Sequence, residues 1–244
     1  MENGIKNAIN FLLYSYFGIT LDSDTDSIKR QAIEKAYLDA TMRRAFNALI
    51  KDGDIQKAKN DGVQIINDGI YQFIKTPGNY DIIHKNICKD LVKAYNPVTT
   101  KDYNGNNIAA FSYGNAQKWV NMTMKNLYVI CNAFLASGKE NDMVKAINSI
   151  SNEMHIPIDS YILEAVWNDE EFIHSNSKDK LPIVEERMLK DGSYGAYSSE
   201  KIKPWSQWNE IEYYTFMQEV KKVKADPIDW ECNSWIDVNR NRNK

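Results

Sequence analysis

The stretch Gly114-Asn-Ala-Gln-Lys-Trp-Val-Asn-Met-Thr-Met-Lys-Asn-Leu-Tyr-Val-Ile-Cys-Asn-Ala-Phe-Leu-Ala136 decides the fold. A glycine opens it, Ser137-Gly138 breaks it, and no proline or further glycine interrupts it. It reads as one long apolar helix whose opening turn carries Lys118.

The rest of the chain reads the same way. A helix is expected over residues 2–17, ending at Gly18. A second runs from Ile28 to about Ile50, capped by Asp26 or Ser27, with Ile33, Ala36, Tyr37, Ala40 and Phe46 near the helical period. After a turn at 51–54, a third carries Val63, Ile66, Ile70 and Phe73 on one face, and Thr76-Pro-Gly-Asn79 stops it. A fourth, from about Asp81 to Tyr95, turns Ile83, Ile87, Leu91 and Ala94 inward. Residues 96–110 form the longest polar connection, with Asn104-Gly-Asn-Asn107 at its tip. Beyond the long helix, a short one covers 140–152, His155-Ile-Pro-Ile158 is extended, and another begins near Asp159. The polar stretch 174–203 holds one helix at 182–190. A last long helix follows Pro204 to about Lys224, a short one covers 229–236, and the tail 239–244 frays.

With six prolines and eleven glycines falling between periodic segments, and no strand pattern of convincing length, the expected fold is all-α. It is a single helical domain of at least seven helices and no sheet of three or more strands. Two lobes would meet near the 96–110 connection.

The 244 residues are 43% hydrophobic and 26% charged, an ordinary globular composition. Mean hydropathy is −0.54, and no apolar run approaches the ~20 residues of a membrane span. Ile9 to Phe17 is apolar but lacks a basic leader and a small-residue cleavage site, so no signal peptide is expected. Three distant cysteines, Cys88, Cys131 and Cys232, point to a reducing, cytoplasmic setting rather than a disulfide framework. The net charge of −3 rules out a strongly basic footprint, so a nucleic-acid partner would need a local basic patch.

Several chemistries lack their motifs. There is no Gly-x4-Gly-Lys-Ser/Thr loop, no Gly-x-Gly-x-x-Gly and no Gly-x-Ser-x-Gly elbow. His84, His155 and His174 have no metal spacing, so no metal or cofactor is expected. No Arg-x4–6-His pair of the helical ribonucleases occurs, and His84 and His155 read as structural.

Two segments carry candidate chemistry. One is Tyr113-Gly-Asn-Ala-Gln-Lys-Trp-Val-Asn-Met122, where a glycine turn delivers Lys118 into a helix start. The other is His155-Ile-Pro-Ile-Asp-Ser-Tyr-Ile-Leu163, where a proline-fixed segment delivers Asp159 to a helix N-terminus. The pairing resembles the helix-hairpin-helix DNA glycosylases, above all the 8-oxoguanine branch, over residues 111–166. That family places a lysine just after a glycine-containing hairpin and an aspartate in a Pro-Val-Asp type segment. Lys118 and Asp159 match the two positions, forty-one residues apart. The chain keeps one hairpin glycine, Gly114, and has Ala116 two positions before the lysine.

The resemblance implies an enzyme that excises a damaged or modified base from DNA. Lys118 attacks the sugar C1′ to give a Schiff base, and Asp159 stabilises the cationic sugar. Gly114, Gln117 and Trp119 would belong to the substrate-binding surface. Trp205 and Trp208 of the aromatic C-terminal cluster, with Trp230, Trp235, Tyr213, Tyr214 and Phe216, would stack the flipped base, and Gln207 or Gln218 would read its edge.

Each feature also has a plain structural reading. Lys118 is then a solvated helix-start residue, Asp159 a cap, and the aromatic cluster a core. Asp229-Trp-Glu231 reads as the capped start of a terminal helix. Lys221-Lys-Val-Lys224 complements a helix dipole, and Asp39 pairs with Arg43 as scaffolding. The rival function is a helical binding module, in phage defence or a mobile element, whose aromatic C-terminal lobe is a protein interface.

Overall fold

The computed structural model describes residues 2–42, 53–101, 106–175, 185–188, 194–197 and 205–242. Over these residues the fold is all-α: ten helices carry the architecture, with two small antiparallel hairpins beside them.

The helix over Tyr113–Ala136, α5, is the central post. Trp119, Val120, Met124, Leu127, Ile130, Cys131 and Phe134 are buried along it. A helix buried on so many faces needs neighbours on several sides. They are α2 (Thr25–Met42), α4 (Tyr80–Ala94) and α6 (Asp142–Ser149), while α3 (Gly53–Lys75) packs on α4. Trp119 is fully buried, with its Nε1 donating to the Ile33 carbonyl at 3.2 Å and its ring against Tyr37 and Tyr95. Gly62 lets α3 approach this ring, because a Cβ there would lie 2.5 Å from it. One contiguous core runs from Leu13 on α1 (Glu2–Phe17) to Ile228 on α10 (Pro227–Arg242).

Most expected boundaries fall within a few residues of those observed. Helix α2 starts at Thr25, one turn earlier than expected, because Asp24 caps it: its Oδ1 accepts from Ser27 N at 2.9 Å. Residues 43–50 of that expected helix, including Arg43 and Phe46, lie outside the described residues. Within the 96–110 connection, β1 (Thr99–Lys101) pairs with β2 (Asn107–Ala109).

Three expectations are corrected. Residues 185–188, expected in a helix, form strand β3, which pairs with β4 (Tyr194–Tyr197) in the register Glu185↔Tyr197 to Met188↔Tyr194. The Asp191-Gly192 dipeptide between them in the sequence is a hairpin signal that the Glu-Glu-Arg-Met composition masked. The single helix expected after Pro204 is a 3-10 turn, Trp205–Gln207, followed by α9, Glu210–Val223. The division is made by a capping box in which Asn209 accepts from Glu212 N and Glu212 accepts from Asn209 N. The terminal helix is also longer than 229–236. Asp226, not Asp229, caps it, and Pro227 sits in its first turn. It reaches Arg242 instead of fraying at 239, because Arg242 bonds Glu164 and lies 4.1 Å over the Tyr161 ring.

Two shorter helices, α7 (Ser160–Asn168) and α8 (Glu170–His174), connect α6 to the C-terminal half. Among the described residues no helix is long and apolar enough to cross a membrane.

Candidate active site

Lys118 and Asp159 meet. Ser112 caps α5, accepting from Asn115 N while the Asn115 side chain accepts from Ser112 N, so Lys118 stands in the second helical turn. Asp159 caps α7: its Oδ1 accepts from Tyr161 N at 2.9 Å and Ile162 N at 3.1 Å. Its other oxygen, Oδ2, accepts from Lys118 Nζ at 2.8 Å. The Pro157 carbonyl lies 3.4 Å from the same ammonium. Lys118 is 7% exposed and Asp159 8%. Burial opposes ionisation of Asp159, but the Lys118 charge and the two backbone donors outweigh it and hold the carboxyl below its usual range.

The pair forms one wall of a cavity of about 420 Å³, within the usual range for small-molecule sites. A second ion pair lies beside it. Lys125 Nζ is 2.6 and 2.9 Å from the two oxygens of Glu231, and burial pushes the Glu231 carboxyl above its ordinary range. Asp39 completes the charged end. It pairs with Lys35 at 3.2 Å through Oδ1, while its buried Oδ2 has no hydrogen-bond partner among the described residues. Arg43, its expected partner, lies outside the described residues. The remaining walls are apolar or aromatic: Tyr16, Phe17, Met122 and Trp235 near the charges, with Leu12, Val129 and Ala133 beyond.

The other expected site residues do not line this cavity. Gly114 is in the first turn of α5 and makes no hairpin. A Cβ there would lie 2.1 Å from the Trp205 carbonyl oxygen, and its N–H donates to the Trp208 carbonyl, so glycine is needed for packing against 205–208. Gln117 is fully buried, bonded to the Gly114 carbonyl and Asn121. Trp119 is core. Trp208 is buried against Phe216, and Trp205 lies beneath Lys118, its ring centroid 6.0 Å from Nζ. Conversely, Asp39, Lys125, Glu231 and Tyr16 belong to the cavity, and sequence reasoning missed their role. The seven-residue spacing of Lys118 and Lys125 puts both on one helix face and was readable. The arrival of Glu231, more than a hundred residues away, was not.

A second polar cluster occupies the core behind α5. His155 is hydrogen-bonded to Asp81 and to the Tyr213 hydroxyl, each at 2.7 Å. His84 bonds Asn121 at 2.9 Å and the Tyr214 hydroxyl at 3.0 Å. Burial drives both imidazoles down, His155 to about 4 against the pull of Asp81, so both are neutral at pH 7. Their structural reading agrees with this geometry: each ties α4 to the 154–158 segment, α5 or α9. Among the described residues, no group of three or more His, Cys, Asp or Glu is placed to hold a metal ion.

Comparison of the chain with protein-family models, curated proteins and solved structures finds no match.

Proposed function

We propose that the chain is a DNA glycosylase with lyase chemistry, using Lys118 as nucleophile and Asp159 as its carboxylate partner. The observation that carries this reading is the 2.8 Å contact between the two side chains on the wall of a 420 Å³ cavity with aromatic residues beside it. Two buried charges are costly to bring together for stability alone, and here they border open space large enough for a flipped base. Lys118 Nζ, once its proton has passed to a carboxylate or to water, attacks C1′ of the deoxyribose. The C1′–N bond breaks, the base leaves with the electron pair and takes up a proton, and loss of the second amine proton with sugar-ring opening gives the Schiff base. Asp159 carries the negative charge that stabilises the developing sugar cation. Tyr16, Phe17 and Trp235 offer faces against which a base can stack.

Borohydride trapping tests the reading. Wild type incubated with duplexes carrying an abasic site or an oxidised, alkylated or deaminated base should yield a covalent protein–DNA adduct. Lys118→Met should yield none, whereas Lys125→Met, which removes the other cavity amine, should still yield it. Asp159→Asn keeps the cap but should slow adduct formation by orders of magnitude. An adduct that survives Lys118→Met, or no adduct with any of these duplexes, removes the proposal and leaves the binding-module reading.

A further inference from the structure

The cavity is longer than a base. Its α5 wall runs from Lys118 to Ala133, about 22 Å at a rise of about 1.5 Å per residue. Charge ends at Lys125 and Glu231, about half-way along, and beyond Asn126 the wall consists of Val129 and Ala133, with Leu12 of α1 also lining the cavity. Leu12 is 64% exposed although it lines the cavity, so this apolar arm is open to solvent. A base whose sugar is held at Lys118 would leave the arm empty. Among the described residues, the buried Asp39 Oδ2 at the charged end has no hydrogen-bond partner, and it can accept from an N–H or O–H of a ligand.

Resting on the glycosylase reading, we infer that the substrate is a base enlarged by a bulky apolar substituent. The base donates to Asp39, and its substituent lies along the arm between α1 and α5. The preference comes from the hydrophobic effect, since apolar surface on both ligand and wall leaves water together. An arm left empty by a small lesion returns none of that.

The test uses the full chain and matched duplexes that carry a methyl or a benzyl group at O6 of guanine or at N6 of adenine, beside an abasic-site duplex. Base release is measured by mass spectrometry and adduct formation by borohydride trapping. The expected result is release of a benzylated base at least tenfold faster than its methylated counterpart. Val129→Trp, whose indole fills the start of the arm about 16 Å along α5 from Lys118, should bring the benzyl rate down to the methyl rate while the variant still forms the abasic-site adduct. Equal or reversed methyl and benzyl rates, no release of any base, or a benzyl preference that survives Val129→Trp overturns the inference. Loss of abasic-site trapping in wild type overturns the glycosylase reading itself. Intact trapping without a benzyl preference overturns only the substrate class.

Discussion

Removing the Asp159 side chain should be among the more destabilising single changes in this protein, and the structure separates the two reasons. Asp159→Ala deletes the cap of α7, with its bonds to Tyr161 N and Ile162 N, a loss of about 1 kcal/mol. It also strands Lys118, 7% exposed, without its carboxylate, and breaking a buried pair from one side costs about 3–5 kcal/mol. The two together give roughly 4–6 kcal/mol. For a chain of this size that is a fall in Tm of the order of 10–20 °C, at about 2–4 °C per kcal/mol. Asp159→Asn keeps an oxygen for the backbone donors, so it should lose only the charge contribution, about 3 kcal/mol. The double variant Lys118→Met with Asp159→Asn removes both charges and should recover to within about 2 kcal/mol of wild type. The pair also has a pH signature. The Asp159 carboxyl lies below its ordinary range in the folded protein, so the stability it contributes is present above about pH 3.8 and is lost as pH falls through the lower folded value. Urea denaturation at pH 7 of the four proteins, with Tm as a second reading, measures all of this. If the Ala and Asn variants are equally stable and both lie within about 1 kcal/mol of wild type, the ion pair contributes nothing and the coupling argument fails. The burial of Lys118 also means that its replacement is not silent for stability, unlike that of a solvated helix-start lysine.

Further outcomes follow from the same geometry. Gly114→Ala would set a Cβ 2.1 Å from the Trp205 carbonyl oxygen, so the 205–208 segment must shift, and thermal melts should show a loss of about 1–3 kcal/mol. Trp119→Ala empties the centre of the core between α2, α3 and α5 and should cost about 3–5 kcal/mol in denaturant titrations. His155 is held neutral well below its unfolded value near 6.5, so the folded state binds fewer protons there, and the stability this confers declines as pH falls from about 6.5 to about 4. Denaturation midpoints recorded across that window should fall in wild type and fall less steeply in His155→Gln, where His84 keeps its own share of the slope; equal slopes would refute the assignment.

Sequence by itself determined the helical class, because glycines, prolines and caps act locally. A proline at 77 with Gly78 ends α3, and Ser137-Gly138 ends α5, whatever lies around them. It also determined that Asp159 would cap a helix, since the extended Ile156-Pro157-Ile158 segment and the aspartate after it are a local signal. The pairing of Lys118 with Asp159 was anticipated only through the order of the two motifs. Their 2.8 Å contact is a tertiary fact, made by docking α7 against α5. Where local signals competed, sequence reasoning erred. Glu185–Met188 has helix-forming composition but lies in a ladder with Tyr194–Tyr197, and a ladder depends on a partner strand. The role of Gly114 reversed for the same reason. A glycine before a lysine suggests a turn, but what demands it is the Trp205 carbonyl, ninety-one positions away. The cavity was the least legible feature of all. Asp39, Lys125, Glu231 and Tyr16 come from four helices, and their convergence depends on how apolar faces pack, which neither periodicity nor spacing encodes.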